Sequence, residues 1–396
     1  MNERDVLITG LGLVSSLGEG PDAHWQALTA PDGRPVIDSE RYAPYTIHPL
    51  PAIDWNLQIP KRGDQRQMET WQRLGTYAAG LALDDSGLKQ EAALCASMDL
   101  VVAAGAGERD EAVDAEILES SPKSGNRDAL LNEKLSNGLR PTLFLAQLAN
   151  LLAGNISIVH QVTGSSRTFM GEDGAGIAAI ENAVARIRAG QSTHMLVGGA
   201  YQCEHSDLIL GYELGGYLHQ GPWKPVWQRD GSPGGGVVPG SGGAFLVLES
   251  RAHAQARGAG AYARIDTVVS DRIRRSDGAL EAGLASMLAR VTGADAGLLA
   301  ISGASGAHAA TAAERSVFDE TDGAVARAFS TRIGHLKEAQ FPFAVALAAL
   351  ALKRQSAYPA FDGATEAPFE GKLERAIATT VGYHLYEGMA SVVGAE

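Results

Sequence analysis

Two adjacent acidic residues, Glu172 and Asp173, stand at the predicted start of a helix. Apolar residues recur at helical spacing through Gly176–Arg188, and Gly190 follows as a stop signal. The free N–H groups and the dipole at a helix start stabilise a carboxylate as an anion, which makes it a weaker nucleophile. Two interpretations stay open: the acids cap the helix, or one of them takes part in catalysis.

Histidine and cysteine are the other side chains that could do chemistry. His335 lies in the segment STRIGHLKEAQ, before an apolar helix predicted at Phe341–Leu352, and it is either a reaction group or a structural histidine. Cys95 and Cys203 have no metal-ligand spacing and predict no disulfide framework. No Gly-Lys-Ser/Thr motif follows the glycine-rich segments, so a phosphate-binding loop is not expected. We expect no metal and no cofactor.

The composition restricts the class of protein. The chain has 396 residues, of which 45% are apolar and 20% are charged, and this suffices for a large core. The formal net charge of -13 argues against nucleic acid as a partner, but it leaves room for a local basic patch that binds an acidic carrier protein. The charged start MNERDVLITG has no signal-peptide core, and no apolar stretch reaches membrane-spanning length. We expect a reduced, cytoplasmic protein without membrane contact.

Short apolar runs that end at glycines predict strands, and they alternate with helical segments along the chain. The pattern begins again after about residue 250, which predicts a duplicated α/β unit with halves at 1–250 and 251–396. The predicted helices are Thr70–Asp85, Leu143–Leu152, Gly176–Arg188, Ala279–Val291, Thr311–Phe318 and Phe341–Leu352. The predicted strands are Val6–Thr9, Leu100–Ala104, Ile156–Val162, Met195–Val197, Ala244–Leu248, Tyr262–Val269, Gly297–Ile301, Ala376–Thr380 and Ala390–Val393.

Three segments together resemble the beta-ketoacyl-acyl-carrier-protein synthase family. They are VLITGLGLVSSLGEG at the start, Ala153–Ala200, which aligns without a gap, and VVPGSGGAFLVLESRAHAQARGAGAYARI. The final GYHLYEGMASVV stands where that family closes with a glycine turn and a last strand. The resemblance covers nearly the whole chain and implies the thiolase fold, a duplicated five-layer αβαβα architecture.

The resemblance also implies which positions would carry the family's chemistry. That family uses a cysteine at the start of a buried helix as the acyl acceptor, assisted by two histidines and a lysine. The corresponding positions here are Asp173, beside Glu172, for the cysteine; Gly303, five residues from His308, for the first histidine; His335 for the second; and Ser330 for the lysine. Only the second histidine is therefore retained.

The chain keeps the segments typical of the family's fold but lacks most of its reaction groups. In this it resembles the chain length factors, the ketosynthase-beta subunits of type II polyketide synthases. Those subunits commonly carry Glu-Gln-Ala-Gly-Gly where this chain has Glu172–Gly176, so Asp173 replaces the Gln. The retained His335 favours the branch that forms reduced polyenes. The resemblance thus implies a cysteine-lacking subunit that forms a heterodimer with an active ketosynthase and meets acyl carrier protein through that complex.

The same resemblance places the subunit contact and the acyl tunnel. The contact would run through a strand at Gly154–Val162 and through residues 105–150. Tunnel length would be set by residues 106–116 in type II polyketide or fatty-acid-like biosynthesis. The candidate residues are Ala106, Glu108, Arg109 and Ala112 for the tunnel, and Tyr383 and His384 for the mouth of the pocket.

Two other functions stay open from the sequence. One is a stand-alone thiolase-fold decarboxylase, or a non-condensing acyltransferase, that uses His335 with or without Asp173. The other is a structural homodimer that binds carrier protein or acyl groups without chemistry.

Overall fold

The computed structural model describes residues 2–31, 33–105, 107–276, 278–293 and 297–396. Its strands are β1 (Val6–Ser15), β2 (Gly18–Glu19), β3 (Asp99–Ala103), β4 (Ser166–Phe169), β5 (His194–Tyr201), β6 (Gly242–Ser250), β7 (Ala263–Asp271), β8 (Leu298–Ser302), β9 (Ala324–Ala328), β10 (Arg375–Val381) and β11 (Glu387–Val393). Its helices are α1 (Gly20–Thr29), α2 (Arg62–Gln67), α3 (Thr70–Asp85), α4 (Ala92–Ser97), α5 (Glu111–Ser120), α6 (Arg127–Gly138), α7 (Leu143–Ala146), α8 (Leu151–His160), α9 (Asp173–Arg188), α10 (Ser206–Leu214), α11 (Arg251–Ala256), α12 (Ala279–Val291), α13 (His308–Asp319), α14 (Ser330–Ile333) and α15 (Gln340–Arg354). Within the described ranges, no helix has the length and apolar character needed to cross a membrane.

The strands of the described residues form one hydrogen-bonded sheet. It consists of two units, the first and the second sheet, which have the same strand order. The order β4-β3-β5-β6-β1 continues into β7-β11-β10-β8-β9, and β2 pairs with β1 at the side. In the first unit β1, β6 and β5 are antiparallel neighbours, while β5, β3 and β4 are parallel. The second unit repeats these directions with β7, β11 and β10, and then with β10, β8 and β9. The two units therefore repeat each other in both strand order and strand direction.

Helices α9 and α15 form the middle layer of the molecule. They pack against each other and against strands of both units. Helix α15 is buried from Gln340 to Leu352, as expected for a helix that is apolar all round. Helices α3 and α8 cover the first unit from outside, and α12 and α13 cover the second. This gives the expected αβαβα layering, and it brings the start of α9 and the loop before α15 together between the sheets.

The segment 143–162 folds differently from the prediction. Ile156–Val162 is not a strand, because Leu151–His160 forms α8, and the helix predicted at Leu143–Leu152 is divided between α7 and α8. The β-branched residues here favour a strand locally. However, Leu152, Ile156 and His160 share one buried helical face, and α8 packs on α3. The strand at this edge of the sheet is instead β4, whose sequence SRTF carries little apolar signal. The other predicted helices and strands are present.

Candidate functional site

A strained turn leads into α9. Strand β4 ends at Phe169, Gly171 has a φ of 131°, and Glu172 has a φ of 56° and a ψ of -129°. A residue other than glycine is sterically disfavoured at positive φ, so contacts of its side chain must help to hold it there. The turn places Asp173 as the first residue of α9, between the two sheets.

Asp173 and His335 form a buried hydrogen-bonded pair. Asp173 Oδ1 lies 2.8 Å from His335 Nε2, and the two residues are 2% and 0% exposed. The other ring nitrogen, Nδ1, lies 2.9 Å from the hydroxyl of Tyr212. Burial raises the pKa of Tyr212 well above its ordinary value, so this group stays a neutral hydroxyl. Both nitrogens of His335 therefore have partners inside the protein.

Backbone contacts fix the position of the His335 ring. His335 N donates to Val238 O, and Gly240 N donates to His335 O, each over 2.9 Å. Gly334, with a φ of 76°, makes the turn before the histidine. The glycine-rich loop before β6 thus acts as a support for the histidine.

Glu172, Lys337 and Tyr383 cover the buried pair. Tyr383 donates its hydroxyl hydrogen to Glu172 Oε1, and Lys337 Nζ lies 3.2 Å from the same oxygen. The Tyr383 ring also packs edge-on against the His335 ring, with the centroids 5.5 Å apart. Burial, and after it the Glu172 carboxylate, raises the pKa of Tyr383, so the phenol remains a donor. These contacts hold Glu172 in its strained conformation.

The two residues predicted at the pocket mouth differ in their surroundings. Tyr383 is partly buried and packs against Tyr217, with ring centroids 4.7 Å apart. His384 is exposed, and its Nδ1 lies 3.1 Å from the Tyr217 hydroxyl. Tyr383 therefore belongs to the layer that covers His335, and His384 lies outside that layer.

Gln340 connects the positions at which the resemblance implies a missing histidine and a missing lysine. Its Nε2 donates to Gly303 O over 3.0 Å and to Ser330 Oγ over 2.8 Å. A Cβ at Gly303 would come within 2.6 Å of Thr380 Oγ1 and 2.9 Å of Thr379 O. Close-packed surroundings of this kind leave no room for an imidazole at position 303. The packing around position 303 therefore fits a glycine and not a histidine.

A cavity of about 200 Å³ shares Glu172 and Lys337 with this site and begins where β4 ends. Trp71, Met170 and Tyr201 line part of it, and Glu108 and Glu338 are also in its wall. The two glutamates are 7% and 3% exposed. Burial raises the pKa of each carboxyl group to about 7. His205 near Glu108 and Lys337 near Glu338 act in the opposite direction and lower the pKa of their neighbour.

The residues predicted for the tunnel do not all reach this cavity. Glu108 lines it. Arg109 is exposed and donates from Nη2 to Asp114 Oδ1 over 2.8 Å, and Ala112 is exposed on α5. Ala106 lies outside the described residues. In the described part of the chain, Glu108 is the predicted tunnel residue that faces the cavity.

The two cysteines both lie outside α9. Cys95 lies in α4 and Cys203 follows β5, and both are buried. Burial raises the pKa of both thiols, that of Cys203 to about 12. Neither is a thiolate at neutral pH, and neither is at the start of α9. His308 begins α13 and is not part of the Asp173–His335 pair.

One cluster of possible metal ligands was not singled out by the sequence. Ligand atoms of Glu111, His205 and Asp207 lie within 4.8 Å of one another. His205 Nδ1 lies 2.6 Å from Asp207 Oδ1, and Glu111 Oε1 accepts from Ser206 N. Hydrogen bonds account for this arrangement.

Sequence reasoning also missed four residues that build the site: Tyr212, Lys337, Glu338 and Gln340. Three of them follow His335 within the segment HLKEAQ, and their nearness to the retained histidine was an available signal. Tyr212 gave no such signal, because it lies 123 positions away from its partner.

Comparisons with known proteins show the family of the chain. The family model described as beta-ketoacyl synthase, N-terminal domain, matches residues 3–254. The 3-oxoacyl-[acyl-carrier-protein] synthase 2 of Vibrio cholerae is 26% identical over 274 residues, which are 67% of this chain and 62% of that protein. The tetracenomycin polyketide synthase ketoacyl synthase beta subunit of Streptomyces glaucescens is 30% identical over 274 residues, 66% of this chain and 62% of that protein. The chain thus spans less than two thirds of the length of these relatives.

A solved structure extends the similarity to the whole chain. The ishigamide ketosynthase/chain length factor structure superposes with a TM-score of 0.78 at 19% identity, covering 99% of this chain and 100% of that one. At this identity the similarity concerns the fold, which is the thiolase fold.

We expect Asp173→Ala to lower the free energy of unfolding by about 1–3 kcal/mol. The change leaves Nε2 of the fully buried His335 without its acceptor. Asp173→Asn is the matched control, because its amide oxygen can still accept from an N–H at Nε2, and it should lose less. Urea denaturation measures both variants. An alanine variant as stable as the wild type would contradict the structural role of the pair.

Glu338→Gln should stabilise the protein in a pH-dependent way. The folded-state pKa of about 7 lies above the ordinary value of 4.5. The folded state therefore binds the proton more tightly than the unfolded state, and the destabilising effect of the carboxyl grows between these two values and is complete above about 7. Near pH 8 the variant should gain up to about 3 kcal/mol over the wild type, and near pH 5 it should gain little. Denaturation at both pH values measures this gain in stability, and the exposed Glu320→Gln is the control. A gain that does not depend on pH would contradict the raised pKa of Glu338.

Proposed function

We infer that this chain, which belongs to the beta-ketoacyl synthase family, acts as a non-elongating subunit. It would be a chain length factor that forms a heterodimer with a cysteine-bearing ketosynthase and shapes the acyl tunnel of that complex. The biosynthetic setting would be type II polyketide or fatty-acid-like, and acyl carrier protein would meet the complex as a whole. The retained His335 makes reduced, polyene-type products our first expectation.

One observation carries this proposal: the start of α9 holds Asp173 in a closed pair with His335. Acyl transfer from a carrier protein needs an accessible nucleophile with a neighbouring base. Here the carboxyl group at the helix start is 2% exposed, and its histidine is engaged at both nitrogens. The arrangement suits a structural pair better than a reaction centre.

The packing around Gly303 supports the same proposal. Decarboxylation in this family would require a second histidine, and the Thr379–Thr380 backbone and side chain lie against the position where it would project. The Ser330 hydroxyl takes part in a hydrogen bond to Gln340 instead of supplying a positive charge. A stand-alone decarboxylase that used His335 would therefore lack the groups that stabilise the developing negative charge.

The free edge of the sheet supports a partner subunit. Strand β4 is the last strand of its unit in the described sheet, and an edge strand offers unpaired backbone groups to another chain. Large apolar side chains lie exposed in segments next to it: Phe144 in α7, Ile158 in α8 and Met170 after β4. Exposed apolar groups beside a free edge are typical of a protein–protein contact. We propose β4, with α7 and α8, as this contact in place of the predicted strand at Gly154–Val162.

Co-expression with a cysteine-bearing ketosynthase of the same organism tests the proposal. We expect the two chains to co-purify in a one-to-one complex, and we expect intact mass measurement after incubation with acyl carrier protein to find the acyl group on the ketosynthase alone. A stable homodimer that does not exchange with the ketosynthase would favour the structural homodimer. A stable acyl adduct on this chain would contradict a non-elongating role.

Asp173→Cys should not create a competent condensing enzyme. The new thiol would still lack the histidine excluded at Gly303 and the lysine replaced by Ser330, and groups that act as a unit are strongly non-additive. We expect carbon–carbon bond formation by the variant alone to stay below about one hundredth of an ordinary ketosynthase rate. Mass spectrometry of carrier-bound products measures this rate. Turnover near that of a ketosynthase would mean that other residues of the chain supply these groups.

A further inference from the structure

The cavity beside β4 combines an aromatic wall with two buried carboxyl groups. Trp71 and Tyr201 lie in its wall, and Glu108 and Glu338 are almost fully buried there. We propose that Glu108 and Glu338 form a polar end wall that keeps hydrocarbon out of the depth of this cavity, and so set the longest chain that this subunit permits. The proposal rests on the proposed function and names the specificity-determining residues of its tunnel.

The backbone around Glu338 is arranged to accommodate this side chain. A Cβ at Gly105 would come within 2.6 Å of Glu338 Oε1, and a Cβ at Gly199 would come within 2.9 Å of the Glu338 carbonyl oxygen. At Gly176 a Cβ would meet the same carbonyl oxygen at 2.5 Å. Three glycines from β5, α9 and the end of β3 thus leave the space into which residue 338 fits. Gly105 therefore leaves room for the carboxyl group itself, and Gly199 and Gly176 leave room for the backbone of residue 338.

Glu108 is held from a different part of the chain. It follows β3, its carboxylate oxygen lies 3.6 Å from His205 Nε2, and the Trp71 backbone N–H also stabilises it. Glu69 faces it as a second acid, and Arg140 pairs with Glu69. Two carboxyls from distant segments thus reach one cavity.

Charge at this wall opposes the burial of hydrocarbon. Each additional two-carbon unit gains the transfer energy of two methylenes when it leaves water. The free-energy cost of desolvating an ionised carboxylate that finds no new partner is considerably larger than this gain. A chain therefore stops where its next unit would press against the carboxylates. Side-chain bulk is not needed for this limit.

The protonation of Glu338 modulates the wall. The charged and titratable groups that face it are Lys337, Glu172, Asp173 and Tyr201. Glu108 is faced by His205 and Glu69, and His205 also titrates, so Glu338 is the clearer probe. Because the pKa of Glu338 is about 7, its charge falls as the pH is lowered through neutrality. The permitted chain should then become longer.

The experiment uses the complex with the cysteine-bearing ketosynthase. Glu338→Leu and Glu108→Leu replace the acids by apolar side chains of similar reach, and Glu320→Leu, an exposed acid on the outer layer, is the matched control. Carrier-bound products are measured by mass spectrometry with malonyl carrier protein as extender. We expect each cavity variant to shift the main product by at least one two-carbon unit toward longer chains, with the control unchanged.

A second experiment measures how product length depends on pH and uses no apolar substitution. The wild-type complex should make longer products near pH 6 than near pH 8, and Glu338→Gln should reduce this dependence at least about two-fold. Unchanged product lengths in both experiments, with the complex intact, would overturn the end wall. Weaker assembly of the leucine variants without a change in length would overturn it too, since the acids would then bind a basic side chain of the partner. If product lengths do not depend on the presence of this chain, the proposed function fails instead.

Discussion

The buried pair of Asp173 and His335 is the interaction on which the site depends. It joins the start of α9 to the loop before α15, and these two helices form the layer shared by both sheets. A polar pair in such a place is favourable only while each group satisfies the other, because removing one partner leaves a desolvated atom behind. The pair therefore fixes the geometry of the strained Glu172 turn on one side and of the Tyr212 contact on the other.

Gln340 joins two positions of the site that lie far apart in the chain. Its side-chain amide donates to the Gly303 carbonyl oxygen and to the Ser330 hydroxyl, so both acceptors are satisfied. Buried polar groups that are fully satisfied stabilise a unique arrangement, whereas partly satisfied ones destabilise it. The middle layer of α9 and α15 owes its packing to apolar contacts that need no reaction chemistry.

Ionisable groups divide the region near α9 into two environments. On one side Tyr383, Lys337 and Glu172 close over the histidine with mutually satisfied contacts. On the other side Glu108 and Glu338 reach a cavity in which burial raises the pKa of each carboxyl. Glu172 and Lys337 belong to both environments, because they also line the cavity. Both features are consistent with a subunit that shapes a tunnel and leaves the chemistry to a partner.

The sequence was enough to predict the α/β class, the repetition of the α/β pattern and the helix at Gly176–Arg188, because these follow from periodicity, glycine punctuation and local resemblance. It misplaced the edge strand, since the β-branched residues of Ile156–Val162 favour a strand locally while packing on α3 makes them helical. The contacts of His335 with Asp173 and Tyr212, and the lack of space for a side chain at Gly303, follow from the folded structure and not from the sequence. Such contacts join residues far apart in the chain, and their existence depends on which elements pack together, which no local pattern encodes.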